Sequence, residues 1–330
     1  MAGGEGRRLR PLTEERPKPL MPLLDEPVLG MTLQLLRRHG VEEAAVTVCY
    51  RAEQVMRTLG DGSAYGVRLR YVREETPRGT AGSVRDAAEG ATGTVLVMSG
   101  DGLTDCDLTG LAQRHRQGGG MASLVLKRLD KPEEYGVCEL AADGRIVRFT
   151  EKPGTAAAGS LVNTGIYFLE PEALDWIPAR GSCDFGRELL PELVAAGVRV
   201  MGLETDAYWC DIGSREAYAQ AQMDLLLGRV GLAIRGRRQG GAILAPGMKL
   251  APGVRVTGRC YVGQGVHIGP GTVLGPGTIV GRGAQVGRNV RMDHACLWEN
   301  ARVGGDAILR NVVVIPRAGN ETLQRVVPYA

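Results

Sequence analysis

Gly3-Gly4-Glu5-Gly6-Arg7-Arg8-Leu9-Arg10-Pro11-Leu12-Thr13, followed by Pro17-Lys18-Pro19, stands at the start of the chain. Three glycines in four residues permit a tight turn and a close backbone approach to a ligand, because no Cβ intervenes. The backbone N–H groups of such a loop suit phosphate oxygens. Arg7, Arg8, Arg10 and Lys18 bring four cations to the same stretch. Two common phosphate loops are excluded: no Gly-Lys-Ser/Thr ends the loop, and Leu9 stands where the dinucleotide fingerprint needs its third glycine. A bare glycine turn is more often structural than functional, so the information lies in the longer string.

The bulk numbers narrow the class. A length of 330 residues fits one or two domains. The net charge of +3, from 40 Lys+Arg against 37 Asp+Glu, argues against a dedicated nucleic-acid binder, whose basic groups concentrate on one face. No apolar signal region follows Met1 and no apolar run is long enough to cross a bilayer, so a cytoplasmic protein with no membrane partner is expected. The seven cysteines are scattered without Cys-x-x-Cys spacing, which fits reduced thiols rather than a disulfide framework or zinc site.

A phosphate loop of this kind normally follows a buried strand, and no strand precedes Gly3. In the proteins that this loop resembles, an apolar strand runs into Met-Ala-Gly-Gly; the resemblance implies that Met1 is an internal methionine at the end of that strand, with the start placed too late or the chain truncated. Downstream, Pro27 suits a first helical turn, and Val28, Leu29, Thr32, Leu35 and Leu36 follow helical spacing up to Gly40. Residues 44–48 read as a buried strand, 52–59 as a helix, 67–71 as an alternating strand, 80–89 as a helix and 94–98 as an apolar strand. Strands alternating with helices imply a doubly wound parallel sheet. The Asp143-Gly144 turn between 137–140 and 146–150 inserts antiparallel strands and makes the sheet mixed. Helices at 185–195 and 214–227 close a first domain, residues 1–228. The Gly- and Arg-rich run 229–242 is the linker, and 243–330 form a second domain.

That second domain has its own period. Leu244, Leu250, Val256, Val262, Ile268, Leu274, Val280, Val286, Met292 and Trp298 recur every six residues, with Gly263, Gly269, Gly275, Gly281 and Gly287 opening hexads. No helix or simple strand has this period; a hexapeptide parallel β-helix does, each hexad forming one side of a triangular coil. Val303, Leu309 and Ile315 resume the spacing with an offset after Trp298.

With the loop, several islands in chain order resemble the sugar-1-phosphate nucleotidylyltransferases. These are Glu75-Thr76-Pro77-Arg78-Gly79-Thr80-Ala81-Gly82, Ser99-Gly100-Asp101, Glu134-Tyr135-Gly136-Val137, Phe149-Thr150-Glu151-Lys152-Pro153, Asn163-Thr164-Gly165-Ile166-Tyr167 and Trp209-Cys210-Asp211-Ile212-Gly213. The wording is most similar to bacterial mannose-1-phosphate guanylyltransferases. The resemblance implies an α/β fold, a doubly wound mixed sheet in a Rossmann-like nucleotidyltransferase domain, followed by a left-handed parallel β-helix. It further implies a nucleoside triphosphate and a sugar 1-phosphate as substrates, Mg²⁺ as cofactor and a homo-oligomer. Gly3, Gly4, Gly6, Glu75, Gly79, Thr80 and Asp101 would bind nucleotide. Tyr135, Gly136, Glu151, Lys152, Asn163 and Thr164 would bind the sugar phosphate. Asp101 and Asp211 would hold the metal, and Arg8 and Lys18 would be catalytic.

The chemistry explains these residue types. The attacking sugar phosphate has a second pKa of about 6 and is mostly dianionic at neutral pH, so no general base is needed. Two anions must be brought together and charge stabilised. Mg²⁺ uses one or two carboxylates plus substrate phosphates. Two departures from the family wording stand out: Arg7 replaces a usual Thr, and Arg78 a usual Leu beside the base. His267 and His294 read as surface histidines rather than acyltransferase catalysts. Glucose-1-phosphate thymidylyl- or uridylyltransferase is the near alternative, and a non-catalytic regulatory subunit binding nucleotide sugars is the alternative of another class.

Overall fold

A computed structural model describes residues 1–317 and 320–329, without the side chains of 317 and 320–323. The chain divides into two compact units, the first formed by Met1–Gly4 with Thr32–Asp211 and the second by Glu5–Met31 with Ile212–Ala330.

In the first unit the central sheet runs Val200–Glu204, Ala122–Leu129, Ser160–Leu169, Gly136–Leu140 and Ile146–Glu151, with Val95–Met98 also on Ser160–Leu169. The sheet is mixed, as expected, but more antiparallel than alternating strands and helices suggest. Val200–Glu204 lies parallel to Ala122–Leu129, whereas the long strand Ser160–Leu169 is antiparallel to each of its three neighbours. The Asp143-Gly144 hairpin forms as read, with Gly144 at φ 81 and Asp143 Oδ1 accepting the Arg145 N–H. Glu43–Val48 and Arg68–Arg73 pair in parallel as a separate ribbon.

Residues 1–3 lie between that ribbon and Val95–Met98. The Met1 ammonium donates to Met98 O at 2.9 Å, and the Gly100 N–H donates to Met1 O at 2.7 Å. On the other side the Ala2 N–H reaches Thr47 O at 3.0 Å and the Tyr50 N–H reaches Gly3 O at 3.4 Å. The core beneath contains Leu124, Leu126, Leu169, Leu189, Leu190 and Leu193, with Tyr167 and Phe185 rings 4.5 Å apart. Leu108–Gly118 is capped by Asp107, which accepts the Gly110 N–H, and ended by left-handed Gly119. Its buried His115 ties it to Ser123 and Glu170 at 2.7 and 2.8 Å.

In the second unit three parallel strand stacks make the β-helix. Ala242–Leu244, Cys260–Val262 and Thr278–Val280 stack on one side, His267–Ile268, Gln285–Val286 and Arg302–Val303 on another, and Arg255–Val256 and Val273–Leu274 on the third. The first coils step by eighteen residues, Val262 pairing with Val280; the next steps by seventeen, Val280 pairing with Leu297. The repeat therefore loses its residue between Met292 and Leu297, earlier than the sequence offset suggests. Leu297, not Trp298, takes the stacking position: the left-handed corner falls at His294, two residues past Met292, where the coil before has Gly277 three residues past Leu274. Asn320–Pro328 folds back antiparallel on Ile308–Arg317 and closes the last edge.

The recurring glycines have two distinct causes. Gly265, Gly271, Gly277 and Gly283 have positive φ, and Asn289, His294, Asn300, Asp306 and Asn311 take the left-handed slots farther along. Gly269 and Gly287 are instead under steric load from the next coil. A Cβ on Gly269 would lie 2.6 Å from Arg288 N, and one on Gly287 2.4 Å from Gly305 N. Gly304 follows Val303 as Gly287 follows Val286, but nothing lies within 4 Å of a Cβ there. Gly269→Ala is therefore expected to cost about 2 kcal/mol through overpacking, with Gly304→Ala close to neutral. Paired urea melts of the two variants check this.

Candidate functional site

The expected nucleotide and metal residues of the first unit converge through the backbone. Gly3 and Gly4 emerge from the bonds made by residues 1–3. A Cβ on Gly3 would sit 3.3 Å from Cys49 Cβ and 3.8 Å from Glu74 Oε1, whereas Gly4 has open space. Asp101 follows Val95–Met98, and its carboxylate accepts the Ser99 hydroxyl. The Ser99 N–H donates to Gly165 O at 3.0 Å. Gly165, at φ 75, lies in the bulge between Asn163 and Tyr167 of the long central strand. Bulges of this kind re-aim strands beside functional sites.

Asp211 is brought in by a second short ladder. Trp209–Asp211 pairs antiparallel with Gly102–Thr104, and Asp211 stands opposite Gly102, next in chain to Asp101. Both aspartates are half-buried. Trp209 Nε1 donates to Thr164 O at 3.0 Å, and Tyr135 meets the Trp209 ring edge-on at 5.4 Å. No cluster of three or more His, Cys, Asp or Glu among the described residues is arranged to hold a metal. Two hard carboxylates, one in a strand and one in the turn that leads into its partner strand, match what Mg²⁺ takes from a protein when substrate phosphates and water complete its shell.

The expected sugar-phosphate residues form a second group. Gly136 pairs with Glu151, and the Lys152 N–H donates to Tyr135 O at 3.1 Å. A Cβ on Gly136 or Gly186 would lie 2.9 or 2.5 Å from Glu151 Oε2, so the carboxyl rests over two glycines. Burial pushes its pKa up, against the opposing pull of Lys152, whose Nζ is 3.9 Å from Glu151 Oε1. Asn163 and Thr164 serve the bulge. Asn163 accepts the Gly165 N–H at 3.0 Å, and the buried Thr164 hydroxyl donates to Val125 O at 2.8 Å.

Gly6, Arg8 and Lys18 belong to the second unit. Gly6 has φ 64, and its carbonyl accepts the Thr13 hydroxyl at 2.9 Å. A Cβ on Gly6 would be 3.2 Å from Lys18 Cβ, so the turn lies against the Lys18 stem. Lys18 is only 8% exposed; Arg8 is exposed. Arg7, in place of the usual Thr, pairs with Glu5 at 2.6 Å and is 78% exposed.

Residues 1–227 match the nucleotidyl transferase family, and residues 259–294 match the bacterial transferase hexapeptide family, six repeats. The chain belongs to the nucleotidyl transferase family. It is 37% identical over 238 residues to the UTP–glucose-1-phosphate uridylyltransferase of Synechocystis sp., spanning 67% of this chain and 61% of that protein. It is 33% identical over 255 residues to the mannose-1-phosphate guanylyltransferase of Mycobacterium tuberculosis, spanning 75% and 71%. The chain thus spans about three fifths of the first of these relatives. HddC from Yersinia pseudotuberculosis shares the fold at a TM-score of 0.60 and 22% identity, over 68% of this chain and 96% of that one. No helix among the described residues is long and apolar enough to cross a membrane.

Within this nucleotidyl transferase domain the Glu75–Gly82 island divides its labour. Glu75 is exposed, and the carboxyl facing Gly3 is that of Glu74, which also accepts the Arg78 N–H at 3.0 Å. Burial raises the Glu74 pKa. Gly79, at φ 73, packs so that a Cβ would strike Cys183 O at 2.4 Å. The Thr80 hydroxyl donates to Asp184 and accepts the Phe185 N–H, both at 2.9 Å. Arg78 ends in Asp86 and the carbonyls of Pro178, Ala179 and Gly181. The unusual Arg78 therefore ties residues 178–184 to the helix Gly79–Ala87. Sequence reasoning gave no role to Glu74 or Trp209, which the structure sets beside the expected site residues. Trp209 opens a quoted motif and Glu74 flanks one, but only folding separates Glu74 from its neighbour Glu75. Arg78→Leu should leave those carbonyls and Asp86 without their donor and lower Tm by about 2–6 °C, as differential scanning fluorimetry would show.

Proposed function

We propose that this chain transfers a nucleotidyl group from a nucleoside triphosphate to a sugar 1-phosphate, releasing pyrophosphate, with GTP and mannose 1-phosphate as the substrates. The observation that supports the reading is the antiparallel pairing of Asp211 with Gly102, the residue that follows Asp101 in the chain. When bound there, Mg²⁺ would neutralise and orient triphosphate oxygens. The Gly3-Gly4 backbone admits phosphate closely. Arg8 binds triphosphate oxygens through its planar fork and Lys18 as a point charge. Lys152 takes the phosphate of the incoming sugar, and Glu151 accepts from sugar hydroxyls. The sugar phosphate oxygen forms the new bond to the α-phosphorus while the bond to the pyrophosphate oxygen breaks. The leaving group departs as an anion, and no proton has to be removed from the nucleophile.

Glu74 favours guanine. A carboxylate beside Gly3 can accept from the N1–H and exocyclic amine of guanine at once, whereas uracil offers one N–H between two carbonyl oxygens. A site built around such donors rejects a base lacking them strongly. The second reading, UTP with glucose 1-phosphate, is favoured by the 37% identity to a protein of that name. Pyrophosphate release across a grid of five nucleoside triphosphates and the mannose, glucose and N-acetylglucosamine 1-phosphates decides between them. Folded protein that binds nucleotide sugar but is silent across the grid would instead be a regulatory subunit.

Asp101→Ala and Asp211→Ala should each lower kcat by about a hundredfold or more, with Tm little changed. Activity equal to the parent in either variant removes that residue from the metal site. The Glu74 pKa lies above its ordinary 4.5 because burial disfavours the charge. As pH falls the carboxyl therefore takes up a proton sooner than an exposed one and stops accepting from the base. KM for GTP should rise on acidification from neutrality, and Glu74→Gln should flatten that profile.

A further inference from the structure

Lys18 stands one turn ahead of a hairpin that the second unit holds by buried polar contacts. We propose that Asp25, clamped by Tyr261 and the Arg282 backbone of the hexapeptide repeat, is a positioning residue for Lys18, making the β-helix part of the machinery that aims this cation. The inference rests on the reading of Lys18 as a phosphate-binding cation.

The chain leaves the Lys18–Leu20 turn, where the Met21 N–H returns to Lys18 O at 3.1 Å, and enters a two-residue hairpin between Pro22–Leu23 and Glu26–Pro27. The loop residues are Leu24 and Asp25. Leu24 has φ 58, a conformation that Gly or Asn adopts readily and Leu does not. Such a residue persists where its surroundings over-determine it, and here they do. Gln222 Oε1 accepts the Leu24 N–H at 2.7 Å, and Pro22 O accepts from Gln222 Nε2 at 3.0 Å and the Tyr218 hydroxyl at 2.6 Å.

Asp25 is the link to the repeat. One carboxylate oxygen accepts the Arg282 N–H at 2.8 Å, the other the Tyr261 hydroxyl at 3.1 Å. The carboxylate lies directly over Gly263, where an added Cβ would be 2.3 Å from it. A coil glycine without Cβ, a ring hydroxyl and a turn N–H thus converge on one acid. With the hairpin fixed at Asp25 and Leu24, and Leu20, Met21 and Leu23 fully buried, the short path back to Lys18 has little freedom.

The test is steady-state kinetics with thermal melts. Asp25→Ala should lower kcat by about tenfold or more, since small displacements of a charge from its reacting geometry are costly, with KM for both substrates changed less than about twofold. Tyr261→Phe, the milder variant, should lower kcat about threefold. Asp25→Asn, which can still accept the Arg282 N–H, should recover most of the rate. In a Lys18→Ala background Asp25→Ala should cost nothing further. An unchanged kcat in folded Asp25→Ala, or independent losses in the double variant, overturns the positioning role. An unchanged kcat in Lys18→Ala alone overturns the reading of Lys18 instead.

Discussion

The backbone hydrogen bonds of Met1, Ala2 and Gly3 are what the first unit turns on. On one side they reach Thr47 and Tyr50, on the other Met98 and Gly100. A buried backbone group left without a partner costs about 1–3 kcal/mol, so these residues are held in one register. That register fixes two things together. It aims Gly3 and Gly4 out of the strand ends, and through Gly100 it sets the Ser99-Gly100-Asp101 turn. The Gly3-Gly4 loop and the Asp101 turn therefore share an anchor, and the Gly102–Asp211 pairing brings a second carboxylate next to that turn.

Much of the fold was legible because local chemistry left few choices. The helices at Val28–Arg38 and Ala52–Leu59 and the Asp143-Gly144 hairpin follow from spacing and turn residues. The hexad glycines spoke clearly, since a slot beneath another coil's backbone tolerates no Cβ. The single-residue deletion was misplaced because Trp298, a large apolar residue at a hexad position, looks like a stacking residue. Leu297 takes that place, while buried Trp298 gives its indole N–H to Tyr218 at 3.0 Å. The antiparallel course of Ser160–Leu169 was hidden for another reason. Strand direction depends on which distant strand is the neighbour, and apolar periodicity carries no such information.

For the candidate site, the motifs named segments that the fold brings near one another, but not what each side chain in them contacts. Asp211 stands opposite Gly102, the residue after Asp101, and Lys152 Nζ lies 3.9 Å from Glu151 Oε1; these groupings were legible because each pair sits in or beside a quoted motif. Thr80 and Thr164 spend their hydroxyls on Asp184 and on Val125 O, as threonines near bends often do. Arg78 looked like a change at the base and is instead a brace, since a guanidinium with five N–H donors is satisfied best by several carbonyls at once. Such choices depend on residues a hundred positions away, which no local pattern contains.

Burial raises the pKa of four carboxyls, Asp25, Glu26, Glu74 and Glu151, above their ordinary 3.8 or 4.5. The folded chain then binds a proton at each more readily than the unfolded chain, so their contribution to stability falls as pH rises through that window. At neutral pH these charges work against folding, and the compensations differ. Asp25 receives an N–H and a hydroxyl from the repeat, which offset part of the cost of its burial. Glu74 and Glu151 receive less from the protein. The Arg78 N–H serves one and the distant Lys152 ammonium the other. In the proposed roles a base edge and sugar hydroxyls supply the remaining donors. A partly desolvated carboxylate gains more from a neutral N–H or O–H than a hydrated one does, because less water is displaced when the bond forms. The same burial that weakens the empty fold thus sharpens discrimination between ligands that bring donors and ligands that do not.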